Sequence, residues 1–155
     1  QDRLINAFAI QKMNFDPAII IDFGTATTFD VIGKGGAYLG GIIAPGINLS
    51  IESLYHSTSR LPKISLKSLN DEKNTLLGKN TISAIESGVF WGYVCMIEGL
   101  IIKLKKYYPN SNVVATGGLS QIFKNNIKSI DHIEKDLTIN GLAYYYLSQE
   151  NKYEI

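Results

Sequence analysis

The sequence predicts an α/β fold, a mixed sheet that contains an antiparallel three-strand meander and carries helices on its flanks. Three observations lead there. Residues 18–21, Ala-Ile-Ile-Ile, form an unbroken apolar run suited to a strand buried on both faces. Residues 27–32 and 37–44 are β-prone runs that follow it across short turns, the second of them built on Gly33-Lys34-Gly35-Gly36. Residues 80–108 then read as one long helix, and residues 112–115 return to strand and end at Thr116-Gly117-Gly118-Leu119.

In chain order, Leu4, Ile5, Phe8, Ala9 and Met13 recur at helical spacing, so residues 3–13 are expected as a helix with Asp2 close to its start. Residues 14–17 break it. After the meander, Pro45 and Gly46 open a helix to about Thr58, with Ile47, Leu49, Ile51, Leu54 and Tyr55 as candidate buried positions. Residues 61–73 read as an irregular connection. Asn80 or Thr81 can cap the long helix, whose charges are confined to Glu86, Glu98, Lys103, Lys105 and Lys106. A helix apolar nearly all round belongs in a core or at an interface, and in a domain of 155 residues one face is expected to meet a second copy. Its apolar segment falls short of the ~20 residues of a comfortable bilayer span, carries Glu98 and is interrupted by Gly88, Gly92 and Gly99, so a membrane role is not expected. Residues 120–124 suggest a short helix, 130–133 a last strand, 138–149 a closing helix and 151–155 a frayed end.

Composition fits one soluble globular domain: 45% hydrophobic, 19% charged, formal net charge +1. That charge offers no argument for nucleic acid. The one cysteine, Cys95, excludes an internal disulfide framework, is expected to be buried as a small hydrophobe, and suits a cytoplasmic location. His56 and His132 stand at no metal-ligand spacing.

The stretch Asp22-Phe23-Gly24-Thr25-Ala26-Thr27-Thr28-Phe29-Asp30 has the parts of a phosphate-binding hairpin. Gly24 lets the backbone take positive φ and admit an anion, the hydroxyls of Thr25, Thr27 and Thr28 add donors, and Asp22 at the strand end can hold a cation. An ordinary turn that uses Asp and Gly for turn chemistry alone explains those residues about as well. Likewise Asp2 has a plain reading as a helix-capping acid, and Gly117-Gly118 as a plain strand-to-helix turn rather than a surface for a planar or anionic ligand.

Taken in order, Gln1-Asp2-Arg3, the Asp22 to Asp30 hairpin, Gly40-Gly41-Ile42-Ile43-Ala44-Pro45-Gly46, Gly78-Lys79-Asn80-Thr81 and Thr116-Gly117-Gly118-Leu119 resemble type III pantothenate kinase, from Gln1 to about Tyr146. The resemblance implies a ribonuclease H-like, actin-like ATPase domain. Members begin with a first domain carrying an Asp-x-Gly-Asn-Thr or Ser turn, and this sequence has a single Asp-x-Gly, at Asp22. Residues 1–155 are therefore expected to be the C-terminal domain of the kinase, residues 1–13 being a helix that links from the N-terminal half, and to show little activity alone.

The same resemblance implies transfer of the ATP γ-phosphoryl group to the primary hydroxyl of pantothenate, giving 4′-phosphopantothenate, the first step of coenzyme A biosynthesis. Asp2 would be the proton acceptor. Because a carboxylate is a weak base, its value would lie in orienting the hydroxyl while a loose transition state forms. Gln1, Asp2, Arg3 and Thr81 would bind pantothenate, Arg3 offering a fork of donors to its carboxylate. Thr25 and Gly24 would meet the ATP phosphates, Gly117 and Gly118 the adenosine, and Asp22 an activating monovalent cation, potassium or ammonium, with magnesium accompanying ATP. A non-catalytic nucleotide-binding regulator and an acceptor-free ATPase are the alternatives on the same scaffold.

Overall fold

The computed structural model describes residues 2–58, 60–66, 69 and 76–150. The elements are α1 (Asp2–Lys12), β1 (Ala18–Phe23), β2 (Ala26–Ile32), β3 (Tyr38–Pro45), α2 (Ile47–Ser57), α3 (Thr81–Tyr107), β4 (Asn112–Thr116), α4 (Ser120–Phe123), β5 (His132–Ile133) and α5 (Leu137–Glu150), with a 3-10 turn, Lys34–Gly36, between β2 and β3. The expected order of elements is the observed one. Gln1, residues 151–155 and part of the 61–73 connection lie outside the described residues.

One five-stranded sheet runs in the order β3-β2-β1-β4-β5. β1, β2 and β3 pair antiparallel as the expected meander, and β4 and β5 join β1 in parallel, which makes the sheet mixed. β1 lies second from neither edge but in the middle, and its Ala18, Ile19, Ile20 and Ile21 are all buried, as a strand covered on both faces requires. Alternation then sorts side chains. Ile19, Ile21, Phe23, Phe29, Val31, Val113 and Ala115 face α2, α3 and α4 in the larger core, whereas Ala18, Ile20, Ile32 and Val114 face α1 and Leu137 of α5.

The larger core is closed by an aromatic cluster. Phe123 of α4 lies 5.9 Å from Phe23, 5.5 Å from Phe90 and 4.9 Å from Tyr93, centroid to centroid. α3 begins on a full capping box, in which the Asn80 side chain accepts from the Ser83 N–H and Ser83 reciprocates. Its length and hydropathy would suit a bilayer crossing. It buries Phe90, Tyr93, Val94, Ile97 and Ile101 into the core and binds the Ser129 backbone N–H and hydroxyl through Glu98. On the other face, Gly141 of α5 permits close contact with Ile5 of α1, where a Cβ would strike the Ile5 carbonyl.

Three burial expectations are corrected. Leu49, Leu54 and Tyr55 are exposed, because α2 seats only Ile47 and Ile51 on the core. Leu4 is exposed, since α1 turns Asn6, Ala7, Ala9 and Ile10 inward. Cys95 is exposed as well, on the side of α3 that faces away from the sheet. Along that side run Gly88, Gly92, Cys95 and Ile102 at helical spacing, all exposed, with no atom within 4 Å of a Cβ built on either glycine.

Candidate active site

The carboxyl ends of β1 and β4 lie side by side, the edge at which open α/β sheets bind ligands. Asp22, near the end of β1, pairs with Thr28 of β2 on one side and Thr116 of β4 on the other, so a carboxylate sits between two threonines on one row of the sheet. Gly24 and Thr25 follow at the tip and are exposed to an approaching ligand. Gly46 presses the start of α2 against them, for a Cβ there would overlap the Thr25 and Gly24 carbonyls. As N-cap of α2, Gly46 supplies no side chain, which leaves the first N–H donors of the helix unclaimed beside the tip.

Gly117 has φ 91°, and a Cβ on it would collide with Asp22 Oδ1 and the Phe23 backbone, so the Gly-Gly turn closes tightly over the end of β1. Gly118 has open space instead. The expected positive φ belongs to Gly117 and not to Gly24, which keeps an ordinary φ. The hairpin tip reverses without left-handed backbone, and the missing Cβ at Gly24 relieves contact with the Ala26 carbonyl, 3.3 Å from where it would be.

Asp2 and Arg3, at the start of α1, reach the same face of the sheet. Arg3 Nε donates to Asp30 Oδ1 at 2.7 Å, and Arg3 Nη2 lies 2.5 Å from the same oxygen. Asp30 is 1% exposed, and Tyr38 donates its hydroxyl to it at 3.0 Å. Burial, and then the Asp30 and Asp2 carboxylates, push Asp22 above the usual carboxylate range. Asp2, Asp22, Asp30 and Arg3 are thus one electrostatic unit. On the opposite face, Thr27 and Tyr93 share a buried hydrogen bond of 2.5 Å below the tip.

Among the described residues no group of three His, Cys, Asp or Glu side chains is placed to hold a metal. One hard carboxylate, Asp22, stands at this edge, and its charge is disfavoured by burial and by the Asp30 and Asp2 carboxylates. An expected outcome follows from the sign of that shift. With its folded value above the ordinary 3.8, the group adds stability at acid pH that is lost as pH rises through the folded value. Asp22→Asn, without added cation, should therefore melt above the parent near pH 7 and lose that advantage near pH 3, and a lower melting point at neutral pH would contradict the electrostatic reading.

Thr81 stands apart. α3 passes the site edge at Tyr93, and at 1.5 Å per residue the start of the helix lies about 18 Å beyond it, on the sheet face opposite Asp2. There it lines a groove with Gly78, Lys79, Ala84 and Gly88 that continues through Leu54 and Val89 to a cavity of about 270 Å³ walled by Pro45, Ile47, Tyr93 and Met96. Within one chain the structure brings together Asp2, Arg3, Asp22, Gly24, Thr25 and Gly117, with Gly118 beside them, and leaves Thr81 outside. Asp30, Tyr38 and Tyr93 were not singled out from the sequence. A charged residue inside the apolar run Phe29-Asp30-Val31-Ile32 was the available signal, because a buried carboxylate requires a donor.

The sequence model of the family described as type III pantothenate kinase matches residues 1–103. This chain belongs to that family. It is 45% identical over 94% of its length to the type III pantothenate kinase of Caulobacter vibrioides, covering 55% of it, and 49% identical over 91% to that of Maricaulis maris, covering 53%. The chain spans about half the length of the curated relatives it matches. Among solved structures, a Campylobacter jejuni protein described as a Baf family transcriptional activator superposes with a TM-score of 0.65 at 23% identity, covering 95% of this chain and 65% of that one. The activator of 2-hydroxyisocaproyl-CoA dehydratase from Clostridium difficile, with bound ADPNP, gives 0.58 at 14%, covering 99% and 69%. At such identities these likenesses speak for the fold, and they support the actin-like assignment.

Proposed function

We propose that the complete protein is a pantothenate kinase and that residues 1–155 are its C-terminal actin-like domain, joined by α1 to an N-terminal half. The observation that supports the reading is that Arg3, bound to Asp30, and Asp2, close enough to act on Asp22, lie toward the strand β1 that ends at the Gly24-Thr25 tip, in a member of this family. Thr25 and the N–H groups at Gly24 and the start of α2 would receive ATP phosphates, and Gly117-Gly118 the adenosine. Asp22 would hold a monovalent cation, potassium or ammonium, which with the magnesium that accompanies ATP offsets phosphate charge. Arg3 would engage the pantothenate carboxylate, with Gln1 as a further contact.

In the reaction, the acceptor oxygen forms a bond to the γ-phosphorus as the bond from that phosphorus to the bridging oxygen breaks. ADP leaves with the bridging oxygen, and the hydroxyl proton passes to the Asp2 carboxylate. The test is ADP release by the complete enzyme with and without pantothenate. Release that depends on pantothenate supports the proposal. Equal release without it marks an ATPase, and nucleotide binding without turnover marks a regulator.

The protein is further proposed to act in the cytoplasm as a homodimer joined along the outer side of α3, where Gly88, Gly92, Cys95 and Ile102 leave an apolar stripe uncovered. Because a side chain at Gly92 would point into open space, Gly92→Arg should spare the fold yet block close approach. Sedimentation should find the variant monomeric, its dimerisation weakened at least about tenfold, with the melting point of the protomer little changed.

A further inference from the structure

Gly41 and the buried Asp30 take no part in the chemistry above, yet both converge on Arg3. One oxygen of Asp30 accepts from Arg3 Nε and from the Tyr38 hydroxyl, Arg3 Nη2 forms an ion pair with it at 2.5 Å, and the Arg3 guanidinium lies over the Tyr38 ring, 5.5 Å from its centroid. Gly41 pairs with Asp30 across β2 and β3 and makes the room: a Cβ there would sit on the Arg3 guanidinium and the Asp30 carboxylate. Three elements, α1, β2 and β3, thus fix one guanidinium from its side edge and one face. Asp30 itself is 1% exposed and cannot touch a ligand.

An arginine free in solvent must give up its rotamer freedom when it meets a carboxylate. Arg3 has surrendered that freedom in advance, and with its side chain 36% exposed the terminal edge of the guanidinium, which presents one hydrogen each from Nη1 and Nη2, can meet an anion. Resting on the proposed pantothenate kinase reading, we infer that Asp30, with Tyr38 and Gly41, is a positioning residue that sets Arg3 to select an acceptor bearing a carboxylate. Asp30 acts on selectivity for the acid and not on the phosphoryl donor.

The experiment uses the complete enzyme with two acceptors, pantothenate and its neutral analogue in which the carboxylate is replaced by a hydroxymethyl group. The parent should prefer the acid, and Asp30→Asn should cut that preference in kcat/KM by about tenfold or more, chiefly through the KM for pantothenate, with the KM for ATP within about twofold. Tyr38→Phe, at an exposed position and harmless to folding, should cut it by about two- to fivefold. Arg3→Lys combined with Asp30→Asn should do no more harm than the worse of the two alone. A folded Asp30→Asn enzyme that keeps the full preference, or that loses both acceptors and ATP alike, overturns the inference, as does an unchanged preference in Tyr38→Phe should Asp30→Asn fail to fold.

A second readout is independent of turnover. The Arg3 Nε–H resonance should exchange slowly in the parent and lose that protection in both variants, and equal exchange in all three would also overturn the inference. If the enzyme phosphorylates neither acceptor while Arg3 still shows this protection, the assigned reaction has failed and the clamp stands.

Discussion

Replacing Asp2 by Asn in the complete enzyme should lower kcat for pantothenate phosphorylation by about 10²- to 10⁴-fold and leave the KM for ATP within about twofold. The side chain is exposed at the first residue of α1, where an acceptor can reach it, and it is close enough to Asp22 to raise that residue's affinity for a proton. The carboxylate is a weak base, so most of the loss should come from a hydroxyl that is no longer aligned with the γ-phosphorus. Asn keeps the size and the start of the helix, and the folded structure should be unaffected. Steady-state kinetics with saturating ATP make the comparison, and a rate equal to the parent's would remove Asp2 from the chemistry.

Phe90→Ala should destabilise the domain by about 3–5 kcal/mol. Phe90 is fully buried in α3, packs on Phe123, and through it on Phe23, the residue that precedes the Gly24 tip. Emptying that position leaves a void at the junction of α3, α4 and β1, which rigid neighbours in rotamer minima fill poorly. In a domain of this size the melting point should drop by about 6–20 °C, read by circular dichroism. A change under about 1 kcal/mol would mean that the cluster collapses around the gap and does not brace the tip.

Much of the fold was legible because periodicity and turn chemistry act locally. The Ile19-Ile20-Ile21 run, the Gly33 to Gly36 turn and the Asn80 cap each declare an element within a few residues, and every expected element is present within two residues or so of its observed ends. Burial was less legible because it depends on what an element meets. The α2 pattern of Ile47, Leu49, Ile51, Leu54 and Tyr55 looks amphipathic, but the helix touches the core through one narrow row and leaves the other side as the wall of a groove. Cys95 was misjudged for the same reason, since an apolar neighbourhood along a helix does not say which side a sheet covers.

The site divides in the same way. Asp22, Gly24 and Thr25 are neighbours in sequence, so their chemistry could be read from spacing. The link between Arg3 and Asp30 spans 27 residues and three elements, and only the sheet register brings Gly41 beneath it. Gly117 carries the left-handed conformation that Gly24 was expected to have, because the tight closure is between β4 and β1 and not within the hairpin.

The central claim is that the Gly24 tip and the Gly117 turn form one nucleotide site. Amide-resolved NMR of the complete enzyme titrated with magnesium and a non-hydrolysable ATP analogue measures it most directly. The account predicts saturable shifts at the N–H groups of Gly24, Thr25, Gly117 and Gly118, with α5 unmoved. Shifts confined to other parts of the domain, or none at all, would contradict it.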